Sequence, residues 1–251
     1  MPSNGCHASG GARRGEQQAP ENGTDSPEFD AFAKSYDQLL EKCLGGDEDS
    51  GAVEYFAQGK ALFMRRQLGA CFSGSILDYG CGHGRVSRHL RPLLPKATLH
   101  GFDISAKTIS EAKSCVPQGV VLTSDLSELS PGYAAVMAAG VLHHVALAER
   151  PAFVSGLASR LAPGGRLFIF EHNTYNPVTR MVVDRCVFDR GVTLSPPSRT
   201  LRLLASAGLG SLRLRFVFFI PPALRKLRFI ENALGWCPLG AQYVAMGQQM
   251  G

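Results

Sequence analysis

The sequence Ile76-Leu-Asp-Tyr-Gly-Cys-Gly-His-Gly-Arg-Val-Ser-Arg-His-Leu90, followed by Gly101-Phe-Asp-Ile-Ser105, decides the fold of this chain. An apolar pair runs into Asp78, glycines follow at alternate positions, and a helical pattern of apolar residues begins at Val86. This order predicts a strand, a tight turn and a helix. Asp103 lies 25 residues after Asp78, close to the spacing of about 20 at which an acid ending the second strand of a βαβ unit accepts hydrogen bonds from ribose hydroxyls. The two signals together predict a site for a nucleoside-containing cofactor.

Composition predicts one α/β domain. The chain has 251 residues, of which 45% are hydrophobic and 19% are charged, enough for one full core. Residues 1–26 are rich in Gly, Ser, Pro, Gln and Asn and are expected to be a disordered tail, with a single domain over 27–251 that begins with helices in 27–70. We expect a cytoplasmic protein because no apolar run approaches the roughly 20 residues of a membrane span and no signal peptide is visible. The seven scattered cysteines are interpreted as reduced thiols, and no metal site is predicted.

Positive charge is concentrated in the C-terminal third. From Tyr175 to Gly251 there are ten Lys and Arg against three Asp and Glu. Such a field favours an anionic substrate or an acidic membrane surface, and it is equally typical of a solvated basic face.

Alternating strand and helix patterns follow residue 75 and predict a doubly wound, Rossmann-like sheet with helices on both faces. Two further strands are predicted after a late helix. The predicted strands cover 75–79, 97–102, 119–123, 133–139, 165–172, 212–219 and 242–246. The predicted helices cover 53–68, 83–94, 105–115, 148–161 and 198–207, preceded by one that begins near Pro27 and ends near Gly45.

The glycine spacing argues against a nicotinamide dinucleotide. That fingerprint requires Gly-x-Gly-x-x-Gly, whereas here the glycines fall at 80, 82 and 84 and Arg85 occupies the third position. The other strand ends carry Ser124-Asp-Leu126 and Val141-Leu-His-His-Val145, and Leu161-Ala-Pro-Gly-Gly-Arg166 precedes the fifth strand.

At these residues the chain resembles the class I S-adenosylmethionine-dependent methyltransferases, in particular the small-molecule group similar to ubiquinone and menaquinone methyltransferases. The resemblance covers roughly residues 29–248. It implies S-adenosylmethionine as the cofactor and a seven-stranded, mostly parallel sheet with one antiparallel strand. The implied cofactor-binding residues are Asp78 for the amino group, Gly80 and Gly82 beside the methionine moiety, Asp103 for the ribose, and Ile104, Asp125 and Leu126 for the adenine, with Gly84 and Gly140 also in the binding set. A glycine turn that exposes amides at a helix N-terminus also suits the cofactor's carboxylate.

Methyl transfer from a sulfonium depends mainly on alignment. Positioning contributes on the order of 7–11 kcal/mol, whereas a general base adds about 10²–10⁴-fold. If the acceptor is a hydroxyl, the histidines at the ends of the fourth and fifth strands are the catalytic candidates. His172 ranks first because it ends the fifth strand and opens an insertion, and His144 is the weaker candidate because one histidine of such a pair commonly packs beneath the cofactor in this family. Tyr36 and Tyr175 are further pocket residues by position.

Two insertions, 173–197 and 220–240, are expected to decide the substrate. The second mixes apolar and basic residues as interfacial segments do, so residues 216–236 could also contact a membrane peripherally. The preferred hypothesis is methyl transfer to an oxygen of a small molecule that is lipid-like, anionic, glycan-linked or a specialised metabolite. The alternatives are an inactive cofactor-binding regulator and an RNA methyltransferase. No nucleic-acid partner is expected, because Ala138-Ala-Gly-Val141 replaces the Asn/Asp-Pro-Pro-aromatic signature. The sequence leaves the oligomeric state open.

Overall fold

The structure is a computed structural model that describes residues 51–186 and 192–251. The predicted tail over 1–26, the predicted helix between 27 and 46, and Tyr36 lie outside the described residues. Within the described residues, no helix has the length and apolar character needed to cross a membrane.

Seven strands alternate with helices along the described chain. The strands are β1 Ser75–Tyr79, β2 Thr98–Phe102, β3 Val120–Thr123, β4 Tyr133–Ala139, β5 Leu161–His172, β6 Leu209–Val217 and β7 Gln242–Gln249. The α-helices are α1 Ala52–Leu68, α2 Arg85–Leu93, α3 Ala106–Ala112, α4 Arg150–Ala158, α5 Pro177–Arg185, α6 Pro197–Ser206 and α7 Glu231–Leu234. Short 3₁₀ helices cover Leu126–Glu128, Leu142–His144 and Pro222–Ile230.

The strands form one sheet in the order β3-β2-β1-β4-β5-β7-β6. β1 to β5 pair in parallel, whereas β7 runs antiparallel to both β5 and β6. The predicted seven-stranded sheet with one antiparallel strand is therefore confirmed. The strand order reverses between β1 and β4, and ligands bind at that switch point in open α/β sheets.

Both faces of the sheet are buried, and the residues of β5 contribute to the core layer on each face. Leu167 and Ile169 pack into the core layer beside α4 and α6, whereas Phe168 and Phe170 pack into the layer beside α1 and α2. Successive residues of a strand point to opposite faces, so a strand covered on both sides is continuously apolar.

The insertion after β5 contains a helix that was not predicted. Helix α5 begins after Asn176, whose side chain accepts hydrogen bonds from the amides of Val178 and Thr179. Asn at the N-cap followed by Pro177 at the first helical position is a standard start signal. Residues 187–191 of the same insertion lie outside the described residues.

Several predicted boundaries were wrong, and the largest difference lies at the start of β5. The helix expected to reach Leu161 ends at Ala158, and β5 begins at Leu161 rather than at Gly165. Tyr133 pairs with Leu161 and Ala135 with Arg166, so the Pro163-Gly-Gly turn is an irregularity within the strand. A proline and two glycines fit such a site because the extra residues leave the regular ladder.

Helix α1 is held to α2 by one carboxylate. Glu54 contacts Arg85 at 2.8 Å, His89 at 2.6 Å and also Arg88. Burial opposes ionisation of Glu54, but the hydrogen bonds from His89, Arg88 and Arg85 outweigh it and lower its pKa to about 2. Because α2 follows the glycine turn directly, this cluster ties α1 to the element that carries the turn.

We expect Glu54→Gln to lower the free energy of unfolding by about 1 kcal/mol near pH 7, a small figure because the cluster is partly exposed. The folded pKa lies below the ordinary value of 4.5, so this stabilisation is fully present above 4.5 and is lost as pH falls toward 2. Chemical denaturation at about pH 7 and about pH 3 measures it. The control is Glu149→Gln, because Glu149 is exposed. An equal loss of unfolding free energy in both variants would contradict a stabilising role for the Glu54 contacts.

Candidate cofactor and acceptor site

The turn after β1 brings backbone close to a cavity. Gly80, Gly82 and Gly84 have φ of 74°, 51° and 68°, a region that favours glycine. The amides of Gly80 and Cys81 both donate to the carbonyl of Phe102, at 2.7 and 2.9 Å. A Cβ on Gly80 would lie 2.4 Å from Cγ2 of Val141, whereas a Cβ on Gly82 would meet nothing within 4 Å. Gly82 therefore borders open space.

That space is a cavity of about 380 Å³ at the carboxyl ends of β1, β2 and β4, within the range of small-molecule pockets, about 300–1,000 Å³. It lies at the switch point of the sheet. Its wall includes Gly80, Gly82, Asp103, Ile104, Thr108, Gly140, Val141, His144 and Val145, with the aromatic rings of Tyr79, Phe102 and Phe153.

Asp103 is fixed by two amides. Its Oδ2 accepts from the amide of Gly82 at 2.8 Å and its Oδ1 accepts from the amide of Ser105 at 3.0 Å. A carboxylate has about four lone-pair positions, so two positions remain for hydroxyls of a ligand. Ile104 beside it is 67% exposed and borders the cavity, which gives the cavity an apolar surface next to its acid.

Asp125 and Leu126 take positions outside the cavity wall. The carboxylate of Asp125 accepts hydrogen bonds from the amide and hydroxyl of Ser127, at 2.8 and 2.6 Å, and caps the short 3₁₀ helix. Leu126 packs against the core cluster that contains Leu77 and Leu161. Their predicted contacts with an adenine stay predictions.

Asp78 is buried behind the glycine turn. Its Oδ2 accepts from the hydroxyl of Ser87 at 2.9 Å. Burial raises its pKa to about 6 against the opposing effects of Ser87 and of the Lys60 ammonium. Burial also lowers the pKa of Lys60 to about 8, against the attraction of Asp78 and Glu171. Lys60 was not among the predicted site residues. The one indication was its position in the segment 52–64 of α1, where most of the other residues are buried.

A buried acid and a histidine meet at the ends of β5 and β4. Nδ1 of His143 lies 2.7 Å from Oε2 of Glu171, and both side chains are almost fully buried. Burial opposes ionisation of Glu171, but His143 and the nearby His172 outweigh it and hold its pKa below the ordinary value. His143 was predicted as a candidate by position only, as one of the histidines at these strand ends, whereas Glu171 was not among the predicted site residues.

Both predicted histidines lie near this pair. The ring centroid of His144 lies 4.2 Å from that of His143, and His172 lies 5.2 Å from it. His144 is exposed and lines the cavity, whereas His172 is half-buried and does not border it. His143 itself adjoins Gly140, since a Cβ on Gly140 would lie 3.7 Å from its Cε1.

These features fit S-adenosylmethionine. The cavity offers two glycines that permit close approach, an acid with unused acceptor positions, and an apolar side chain beside it, as a ribose and an adenine require. The fold is that of the class I S-adenosylmethionine-dependent methyltransferases, and the cavity has the residue types that this cofactor needs.

Comparisons with known proteins agree with this class. Residues 76–165 match the model of a methyltransferase domain family. A S-adenosylmethionine-dependent methyltransferase from Archaeoglobus fulgidus superposes with a TM-score of 0.61 at 15% identity, over 86% of this chain and 100% of the other. Human N-acetylserotonin methyltransferase in complex with S-adenosylmethionine superposes with a TM-score of 0.61 at 15% identity, over 91% and 61%.

A curated relative is similar over a shorter stretch. It is an uncharacterised protein of Synechococcus that is 38% identical over 106 residues, which are 39% of this chain. The match spans a quarter of the length of that relative.

The glycine turn gives a direct test of the cavity. We expect Gly80→Val to abolish measurable binding of S-adenosylhomocysteine and to destabilise the fold, because the left-handed backbone and the contact with Val141 both exclude a branched side chain; backbone strain alone costs about 1–3 kcal/mol. Calorimetry and thermal unfolding measure the two effects. Gly156→Val on α4, where a Cβ meets open space, is the control and should bind normally, and normal binding by the Gly80 variant would contradict the assigned turn.

Proposed function

We propose that this protein transfers a methyl group from S-adenosylmethionine to an oxygen atom of a small molecule. The observation that carries the proposal is the cavity wall that joins the Gly80 turn and Asp103 to His144. Bound there, the cofactor supplies a methyl group activated by a sulfonium. Asp103 would hold the ribose, Ile104 would contact the adenine, and the glycine turn would face the methionine end.

Acceptor deprotonation is assigned to His144 in this proposal. The sequence ranks His172 first, but the exposure of His144 and its place in the cavity wall favour it as the group that reaches an acceptor hydroxyl. A base of this kind adds about 10²–10⁴-fold to the rate, and the larger share comes from alignment of the two reactants. His172 remains the second candidate.

We expect His144→Ala to lower kcat by about 10²-fold and to leave S-adenosylhomocysteine affinity within about twofold, because it removes a proton acceptor rather than a ribose contact. Steady-state kinetics and calorimetry separate the two quantities. His100→Ala, which lies outside the cavity wall and whose ring is hydrogen-bonded to the hydroxyl of Tyr133, is the matched control. A larger loss in His172→Ala than in His144→Ala would restore the order that the sequence favours.

The acceptor is proposed to be lipid-like or anionic. The two insertions that are expected to select it adjoin each other: the side-chain amide of Asn173 donates to the carbonyls of Pro238 and Gly240, at 2.8 and 2.7 Å. Quinone precursors, glycan-linked lipids and specialised metabolites fit this class, and kinship with ubiquinone and menaquinone methyltransferases is part of the proposal. A peripheral membrane contact through residues 216–236 belongs to it as well, as does a cytoplasmic location.

Labelled S-adenosylmethionine and fractionated extracts test the function. The purified protein should move label into a small organic molecule. Absence of S-adenosylhomocysteine binding at millimolar ligand would overturn the proposal, and binding without turnover in any fraction would favour the inactive regulator. Label only in RNA, with binding that falls steeply as salt rises, would favour the nucleic-acid alternative.

A further inference from the structure

Two charged side chains of the connection between β6 and β7 face inward, while several of its large apolar side chains are exposed. The side chains of Arg228 and Glu231 are 15% and 10% exposed, whereas Phe229 is 70% exposed and Trp236 is 74% exposed. Leu224, Leu227, Ile230 and Leu239 are exposed as well. Soluble proteins normally show the opposite arrangement.

Specific contacts hold this arrangement. The Arg228 guanidinium lies over the ring of Tyr55, 4.4 Å from its centroid, and occupies the space that a Cβ on Gly59 would take. Glu231 accepts from the amides of Phe219 and Ile220, both at 3.0 Å. The inward side of the segment is therefore committed to polar contacts with α1 and with the end of β6, and its apolar side chains are directed outward.

Helix α5 extends the same exposed surface. The side-chain amide of Asn176 donates to the carbonyl of Leu239 at 2.7 Å, and the hydroxyl of Thr179 donates to the carbonyl of Ala241 at 3.0 Å. These bonds place α5 beside the end of the connection. Because Val178 and Met181 on α5 are also exposed, we call Val178, Met181, Leu227, Phe229, Trp236 and Leu239 together the apolar face.

The charge around the apolar face is mainly positive, although α5 also carries the exposed Asp184, three residues after Met181. Between Arg190 and Ile230 the sequence has eight Lys and Arg and no acid, and Glu231, the single acid after it, is turned inward. Arg225 and Lys226 are exposed within the same 3₁₀ helix. Side chains three residues apart eclipse in such a helix, so Lys226 lies in one row with Phe229 and next to the row of Leu227 and Ile230.

We infer that the apolar face docks on the surface of an anionic lipid bilayer. Exposed aromatic and aliphatic side chains beside an excess of lysine and arginine match a bilayer surface, which has apolar chains below negatively charged headgroups. Docking would bring the insertion after β5, and the acceptor site beside it, close to the membrane. The link between docking and a lipid-like acceptor rests on the proposed function. The docking itself requires no methyl transfer.

Vesicle binding with Trp236 as the probe tests the inference, because Trp236 is the sole tryptophan of the chain. The full-length protein should bind vesicles of phosphatidylcholine mixed with phosphatidylglycerol, with a blue shift of its tryptophan emission. It should bind vesicles of phosphatidylcholine alone much more weakly. Binding should weaken as salt rises, because salt screens charges at the surface.

Paired variants test whether the apolar face is the surface that binds the vesicles. Phe229→Ser and the double variant Arg225→Ala with Lys226→Ala should each weaken vesicle binding by about tenfold. Val121→Ser, an equally apolar exposed residue of β3 (53% exposed) at the opposite edge of the sheet, and the double variant Lys96→Ala with Lys113→Ala should bind like the wild type. All four proteins should keep normal affinity for S-adenosylhomocysteine.

Three outcomes would overturn the inference: no binding to either kind of vesicle, equal binding to both, or a dimer that Phe229→Ser converts to a monomer without any vesicle binding. The last would assign the face to a second copy of the chain. If the wild type binds S-adenosylhomocysteine normally but does not bind vesicles, only the docking inference is rejected. If the wild type does not bind S-adenosylhomocysteine, the proposed function is rejected instead.

Discussion

Asp103→Ala should lower the affinity for S-adenosylhomocysteine by about 100-fold or more. Each hydrogen bond to a charged group contributes about 1.5–3 kcal/mol, and a ribose offers two hydroxyls to this carboxylate. The substitution also removes the acceptor that fixes the amide of Gly82 at 2.8 Å, so the glycine turn loses an anchor beside the ligand. Isothermal calorimetry at fixed pH measures the loss.

Asp125→Ala is the matched control for this prediction. Both acids follow strands of the same sheet, but the carboxylate of Asp125 is engaged with Ser127 outside the cavity wall. If the geometry described above governs binding, this variant should keep its affinity within about threefold, less than one hydrogen bond. Wild-type affinity in Asp103→Ala would contradict the assigned pocket, and a large loss in Asp125→Ala would show that the acid approaches the adenine only when a ligand is bound.

The core of the fold could be predicted because local and tertiary signals agree there. The run from Ile76 to Leu90 combines an apolar strand, left-handed glycines and an amphipathic helix, and each points to the same strand-turn-helix unit. The acid at 103 then follows from the parallel register, in which Asp78 is paired with Gly101 and the strand ends share one edge. Because these local signals agree, the spacing between Asp78 and Asp103 was enough to predict that both lie at the same edge of the sheet.

The His143 and Glu171 pair could not be predicted in the same way. Its members are 28 residues apart, and nothing in the chain states that β4 and β5 are neighbours until the sheet order is known. A weak signal existed, because Glu171 ends the apolar run Leu167 to Phe170 and a buried acid requires a partner. Its partner could have been any of the histidines in the chain.

The outward apolar side chains of the β6–β7 connection were missed for another reason. Periodicity indicates which residues share a face of a helix, but it does not say which face is buried. The hydrophobic effect normally decides in favour of the apolar side. Here Gly59 leaves room for Arg228, and Glu231 satisfies two amides, so polar contacts determine the orientation.

Glu171→Ala should have the second large effect, on stability. Removing one partner of a fully buried contact that involves a charged group costs about 3–5 kcal/mol, because the other group is left without compensation. For a domain of this size that corresponds to a fall in Tm of roughly 6–20 °C. His143→Ala should cost a similar amount, and the double variant should cost clearly less than the sum of the two, because the residues are in contact.

The pH dependence of this loss has a defined sign. The folded pKa of Glu171 is lowered from the ordinary value of 4.5, so the folded state binds the proton more weakly than the unfolded state. The contribution of the Glu171 carboxylate is therefore fully present above 4.5 and is lost as pH falls through the lowered folded pKa. Wild type and variant should converge in stability at acid pH and diverge toward neutrality.

Glu171→Gln separates support from catalysis. The amide keeps the shape and one hydrogen bond, so its Tm should fall less than that of the alanine variant, while the charge that orients His143 is lost. Because His143 adjoins Gly140 and His144 in the cavity wall, we expect kcat to fall by about tenfold with S-adenosylhomocysteine affinity within about twofold. An unchanged kcat with a lowered Tm would limit the pair to holding β4 against β5, and the absence of any effect on Tm would mean that the 2.7 Å contact does not stabilise the fold.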